Sequence, residues 1–294
     1  MENCYLITGA SGFLGGYMLN QLPKNTVTLG RRDMNSIKCD LSQKEPIIPS
    51  GVVSVVHAAG LAHAASSAME FYINNVVATK NLLSALSKSK NVIEQFIFIS
   101  SVSVYGLDEG VNIDEESPTI PTNPYGQTKL IAELIITNWA AENNVDLVIL
   151  RLPLLVGKKP PGNLGRLIDS INSGWYVSIG AADHRRSMVL ASDVAKLIST
   201  SALTPGVFNL TDRVHPSRSE LESAISLRTG KAVKLRIPAF LALILGQVGD
   251  VLPKNFPFKS GHYRKLTSTL IFDDTKAVDV LAWKPNKILA DKSW

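Results

Sequence analysis

The chain has 294 residues, 45% of them hydrophobic, and two cysteines, which excludes a disordered chain and a short disulfide scaffold and leaves room for one large or two small domains. Thirty Lys and Arg against 25 Asp and Glu give a formal charge of +5 with no run of five or more like charges, which suits a small anionic ligand and not nucleic acid. Cys4 and Cys39 stand without metal-ligand spacing around them, so no metal site and a reduced, cytoplasmic setting are expected.

The opening residues, MENCYLITGA, show neither a basic lead nor a long apolar core, so no secretory leader is expected. From residue 3 to about 151 short apolar runs alternate with helical stretches: CYLIT, Phe13 to Leu22, TVTLG, VVSVVHAA, Met69 to Leu86, QFIFISS, Tyr125 to Asn144 and DLVILR. That alternation predicts right-handed crossovers and a parallel sheet covered on both faces, a doubly wound α/β fold. After Arg151 the spacing loosens through Pro153, Pro160, Pro161, Gly162, Gly165 and Gly174, which predicts a smaller and less regular lobe. Ile237 to Leu252 is the most apolar stretch, yet it contains Pro238, Gly246, Gly249 and Asp250 and falls short of the ~20 residues that a membrane span needs. A buried or surface-packing amphipathic helix is expected there, with a peripheral membrane or partner-binding face as the alternative.

Gly9-Ala10-Ser11-Gly12-Phe13-Leu14-Gly15 follows the first strand directly and opens a helix. Glycines in that context make a tight turn, let a pyrophosphate approach the backbone and allow close helix-to-strand packing, which points to a dinucleotide. The second strand ends in Gly30-Arg31-Arg32, where a ribose 2′-hydroxyl would require an acidic residue. Guanidinium forks fit phosphate oxygens, so Arg31 and Arg32 favour NADP over NAD; solvated loop charges or stacking on adenine are the alternatives. Asp40, beside Leu41 in KCDL, closes the next strand, where it serves either as an acceptor for the adenine amino group or as a turn residue.

Tyr125 and Lys129 in NPYGQTK share one helix face, with Asn123 and Pro124 suited to start that helix. A nearby ammonium is expected to lower the phenol pKa from about 10 toward the working pH, so that the tyrosine can exchange a proton with a sugar oxygen. ISSVSVYG closes an apolar strand and puts hydroxyls at its carboxyl end, where ligands sit in open parallel sheets. Ser101 is the hydroxyl best placed to hold a substrate oxygen, whereas Ser100 and Ser103 read as structural.

These residues, together with HAAG at His57 to Gly60, NVVATKNLL, IDEESPTIPTNPYGQTK, LRLPLLVG and DDTKAVDVLAWKP, make the chain resemble the extended short-chain dehydrogenase/reductase family of nucleotide-sugar epimerases, dehydratases and reductases. The resemblance implies a Rossmann-like NAD(P)-binding domain over residues 1–155. It also implies a mainly substrate-binding lobe over 156–294, with some segments returning to the first domain. It assigns catalysis to Ser101, Tyr125 and Lys129, adds Lys129 and the Ala58, Ala59, Gly60 and Asn75 positions to the cofactor cleft, and places a sugar-nucleotide diphosphate at Asn163 and Arg186, with Arg264 as a lesser candidate. Where family dehydratases carry an Asp-Glu pair this chain has Val102-Ser103, which argues against water loss. The leading expectation is therefore NADPH-dependent reduction of a nucleotide-linked 4-keto sugar. The alternative is an NAD-dependent nucleotide-sugar 4-epimerase, and a non-catalytic NADP-binding sensor or assembly factor is a third reading. A nucleotide sugar is the expected partner, a homodimer is compatible with the chain, and neither nucleic acid nor membrane association is expected.

Overall fold

The computed structural model describes residues 4–62, 67–180, 183–200, 202–233, 235–251 and 267–294. Its first half comprises β1 (Cys4–Thr8), α1 (Phe13–Leu19), β2 (Val27–Gly30), β3 (Ile37–Lys38), β4 (Val52–His57), α2 (Ala68–Phe71), α3 (Ala78–Lys88), β5 (Gln95–Ser101), β6 (Gly110–Ile113), α4 (Pro124–Asn143) and β7 (Asp146–Leu152). The second half comprises β8 (Leu154–Val156), α5 (Gly162–Asn172), β9 (Val177–Ile179), β10 (Met188–Leu190), α6 (Ala191–Ile198), β11 (Gly206–Asn209), α7 (Arg218–Thr229), β12 (Leu235–Ile237), α8 (Ala239–Val251), β13 (Leu270–Phe272) and a last helix, Thr275–Leu281.

Seven strands form one all-parallel sheet in the order β11-β7-β5-β4-β1-β2-β3. The chain winds outward from β1 to β3 and then returns to place β4 on the other side of β1, which makes the carboxyl ends of β1 and β4 the topological switch point where such sheets bind ligands. Strand periodicity sends alternate residues to opposite faces. Ile7, Ile97, Ile99, Val148 and Leu150 meet α1 and α6 on one face, while Leu6, Phe96, Phe98 and Ile149 meet α3 and α4 on the other. Because α6, Phe208 of β11 and Trp283 share the first core, the late part of the chain completes the early sheet.

The helix expected over Met69 to Leu86 is present but interrupted. α2 passes through a π-helical turn, Tyr72–Val77, before α3 begins, and Asn75 in that turn is directed to the backbone of Leu61. The expectation for Ile237 to Leu252 needs correction. A helix forms there, but among its described side chains only Ala242 is buried, and Phe240, Leu241, Leu243, Ile244 and Val248 are exposed; Leu252 lies outside the described residues. Among the described residues no helix is long and apolar enough to cross a membrane.

At the switch point Gly9 adopts φ +76°, and a Cβ there would lie 2.7 Å from the backbone of Ala58 and Ala59. A Cβ on Gly15 would lie 2.1 Å from the Gly9 carbonyl oxygen, so α1 can pack this closely on the loop only without a side chain. The variant Gly15→Ala is expected to lose about 2 kcal/mol or more of stability, within the range for overpacking, and to weaken dinucleotide binding; thermal unfolding and a nucleotide titration measure both.

Candidate active site

A cavity of about 960 Å³ opens above the carboxyl ends of β1, β4, β5 and β7, at the upper end of the roughly 300–1,000 Å³ typical of ligand pockets. Gly9, Gly12, Phe13, Leu14 and Gly15 wall one end together with Ala58 and Gly60. Ser101, Tyr125 and Lys129 line the middle, and Asn163 and Arg186 the far end. The remaining expected cofactor residues lie outside this lining. Arg32 donates to the Ser11 carbonyl at 3.2 Å, and Arg31 is exposed. Asp40 accepts from the Ser42 amide and hydroxyl at 3.0 and 2.7 Å, which is the bonding of a turn residue. Leu41 is packed in the core, and its carbonyl accepts from Asn81. Arg264 lies outside the described residues.

Helix α4 sets the reacting groups. The Asn123 side chain accepts from the Gly126 amide at 2.9 Å and Pro124 starts the first turn, so Tyr125 is held at the helix N-terminus. Tyr125, Lys129 and Glu133 then follow at intervals of four and share one face. Lys129 is buried, donates to the Ile99 carbonyl at 2.6 Å and lies 4.4 Å above the Phe98 ring. Burial pushes its ammonium down to about 8, against the opposing charge of Glu133. The expected acidification of Tyr125 by Lys129 is not found. Burial raises the phenol above its ordinary value, and hydrogen bonding with Ser101, not the ammonium, pulls it down. The physical reason is that Lys129 spends its charge on a carbonyl and an aromatic face instead of on the phenol oxygen.

Sequence reasoning missed the support beneath this face. Glu133 forms a buried ion pair with Arg151 of β7, Nη2 to Oε2 at 2.8 Å and Nε to Oε1 at 3.2 Å. It also accepts a very short bond from Ser100, and Arg151 donates to the Tyr105 hydroxyl at 3.1 Å. Glu133 was open to detection as the next i+4 position after Lys129, whereas nothing local marked Arg151.

His57 is buried in a chain of hydrogen bonds whose directions are all determined. Thr79 donates its single hydroxyl proton to the Asn75 carbonyl at 2.6 Å, so at 2.9 Å it can only accept from His57 Nε2. Nδ1 is then the acceptor, and takes the Thr8 hydroxyl proton at 2.7 Å; the Thr8 oxygen in turn accepts from the Ala59 amide at 3.1 Å. The chain thus ties the two switch-point strands to the π-helical turn. Asn75, buried behind Gly60, carries the tie to α4 through its bond to Thr128 at 3.0 Å. Burial and the Lys129 charge push His57 down to about 3, so the ring is neutral.

At the far end an antiparallel bridge, Arg185 to Ser217, sets His184, Arg186, Pro216 and Arg218 on the cavity side and leaves Arg185 off it. Arg186 donates to Ser268 at 2.9 Å. Arg218, which the sequence did not single out, is fixed by Tyr176 and Glu222 through Nε and Nη2, while its buried Nη1 has no hydrogen-bond partner among the described residues. An unpaired buried guanidinium donor on a residue that lines the cavity fits an anionic oxygen of a ligand. The small residues of the Gly9 loop leave a cradle for a dinucleotide diphosphate at the opposite end.

Comparisons with known proteins bear on the family and the fold. The family model described as NAD dependent epimerase/dehydratase family matches residues 5–210. An N-acetyl-alpha-D-glucosaminyl-diphospho-ditrans,octacis-undecaprenol 4-epimerase of Escherichia coli O157:H7 is 30% identical over 217 residues, 70% of this chain and 65% of that protein. A UDP-glucose 4-epimerase of Rhizobium leguminosarum bv. trifolii is 26% identical over 97% of this chain and 94% of its own length. The crystal structure of UDP-glucuronic acid 4-epimerase from Bacillus cereus in complex with NAD superposes with a TM-score of 0.73 at 21% identity, covering 97% and 94% of the two chains; it shows the same fold.

The His57 chain fixes a pH dependence. Its folded pKa is depressed from 6.5 to about 3, so the unfolded chain binds more protons between these values and stability falls as pH drops through that window. Between pH 6.5 and about 4 the melting temperature of the parent is expected to fall more steeply than that of His57→Gln, which calorimetry at several pH values checks.

Proposed function

The chain belongs to the NAD dependent epimerase/dehydratase family, and from that membership we propose that it is a 4-epimerase of a sugar carried on a diphosphate, working with a tightly held NAD. The observation that carries this reading is the convergence of Ser101, Tyr125 and Lys129 on one cavity, between a dinucleotide cradle and a pair of arginines. The relatives point the same way: their names cover a UDP-sugar and an undecaprenol-linked sugar diphosphate, whose shared chemistry is a sugar on a diphosphate.

In this reading Arg186 and Arg218 hold the diphosphate and so orient the sugar toward Tyr125. Ser101 bonds the 4-oxygen and the Tyr125 phenol together, and Tyr125 takes the 4-hydroxyl proton and later returns it. Lys129 anchors the ribose side of the cofactor from its seat on the Ile99 carbonyl. When bound, the nicotinamide supplies the hydride acceptor and donor. Both the hydride and the proton removed at C4 are returned to it, so no reductant is consumed. Val102 and Ser103 offer no acid-base pair for water loss.

One observation favours a second reading, an NADPH-dependent 4-ketoreductase. The end of β2 presents Arg31 and Arg32, and the next carboxylate, Asp33, is engaged by Lys38 at 2.5 Å. With that carboxylate engaged and Arg31 exposed, the end of β2 has the charge that suits a ribose 2′-phosphate.

Denaturing the purified protein separates the two readings. Release of one NAD per chain, with a UDP-hexose inverted at C4 without added cofactor, is the expected result, and an exchangeable site that oxidises NADPH one-for-one with a keto sugar would overturn it. In the same assay Tyr125→Phe is expected to keep its cofactor while turnover drops about 10³-fold, inside the range for a lost general acid-base group. Arg218→Lys retains the charge beside Glu222 but loses the free Nη1 donor; its KM should rise about tenfold with kcat unchanged, the signature of lost uniform binding.

A further inference from the structure

Helix α8 turns its apolar side the wrong way. Surface helices normally face that side to the core. At about 100° per residue, Phe240, Leu241, Leu243, Ile244 and Val248 fall on one arc of roughly 160°, opposite the buried Ala242, with Phe240 61% and Ile244 50% exposed. Exposed apolar residues also stand on the strand that leads into the helix and beside its neighbour. Leu235 of β12 pairs in register with Val177 of β9; Leu235 is 55% exposed, and Trp175, two residues before Val177, is 88% exposed.

The stretch of sequence that contains this helix is strongly basic. From residue 228 to residue 266 it holds eight Lys or Arg and one acid, Asp250, a net of eight less one, +7, against +5 for the whole chain. An exposed apolar helix within a cation-rich stretch of sequence, joined through the β12–β9 pair to an exposed tryptophan, has the composition of an element that lies in the headgroup layer of a membrane. A second copy of the chain would bring the same excess of positive charge in this stretch, so like charge opposes a two-fold contact.

We propose that α8, with Trp175 and the β9–β12 edge, is a docking surface that seats this protein on a bilayer containing anionic lipid. The surface is one body with the substrate end of the cavity. Leu164 and Leu167 of α5 and Arg218 and Leu221 of α7 line that end; α5 ends three residues before Trp175, and Glu222 of α7 accepts from Arg236 of β12 at 3.4 Å. A sugar diphosphate whose other end is a membrane-embedded polyprenyl chain therefore reaches Arg186 and Arg218 from the docked side. That last step rests on the sugar-diphosphate reading above; the docking itself does not.

The test is flotation of the full chain with phosphatidylglycerol-containing vesicles. Binding that weakens as salt rises, and that is about tenfold weaker on phosphatidylcholine alone, is expected for a surface driven jointly by cations and apolar burial. The double variant Phe240→Ser with Ile244→Ser should lose about tenfold in vesicle binding while keeping its thermal unfolding and its turnover of a water-soluble UDP-sugar. Absence of flotation, equal flotation of parent and variant, or a solution dimer that this variant dissociates would overturn the proposal. Vesicle binding is read without turnover, so failure of the 4-epimerase reading leaves this result standing, and the reverse holds too.

Discussion

The geometry of the cavity is referenced to one buried ion pair, Glu133 with Arg151. Removing two charges from water is costly, and a buried pair is weak as a source of stability; what this one supplies is registration. Glu133 lies one turn beyond Lys129 on α4, Arg151 ends β7, and Ser100 on β5 bonds the same carboxylate. A helix and two neighbouring strands therefore meet at a single group, with Ser100 and Arg151 paired in register across β5 and β7. Because successive residues of a strand face opposite sides, fixing Ser100 on Glu133 turns Ser101 into the cavity toward Tyr125. Through Tyr105 and Asn209 the same network extends to β11 at the sheet edge.

A second, uncharged fastening works on the other side of the switch point. The His57 chain consumes every proton and lone pair it needs, so the imidazole cannot gain a proton without breaking a bond to Thr8. The two fastenings meet at α4, one through Glu133 and the other through Asn75 and Thr128. Lys129 lies between them and feels both: it lowers His57 and is itself held up by Glu133. An ammonium in such surroundings is already desolvated before any ligand arrives, and this preorganisation lets a small set of side chains act strongly.

Much of this was legible in the sequence because it is written in local patterns. Strand and helix alternation gave the sheet, the Gly9 loop gave the phosphate end, and Tyr125 with Lys129 gave the reacting face, each within a window of about seven residues. Arg151, Arg218 and the Thr8–His57–Thr79 chain depend on residues tens of positions apart that only the folded sheet brings together. Electrostatics was the least readable part. Spacing placed Lys129 next to Tyr125, but the carbonyl of Ile99 and the ring of Phe98, which take up its charge, belong to another strand. The apolar stretch at α8 was read for its length and not for its direction, since a hydrophobic run does not show whether a core is available to receive it. The acidic-to-basic change at Arg31 was visible at once, whereas the bond that occupies Arg32 was not.

The pairing of β13 with β6 has a consequence for how the protein comes to exist. Ser268 bonds the carbonyl of Asp108 across a separation of 160 residues, and Leu270 and Phe272, which line the far end of the cavity, are made long after the strands of the sheet. On the ribosome the sheet and the Gly9 loop emerge well before that wall, and such high contact order makes its closure a late folding event. In the 4-epimerase reading proposed above, the dinucleotide end of the cavity is therefore complete in the chain before the wall of its substrate end.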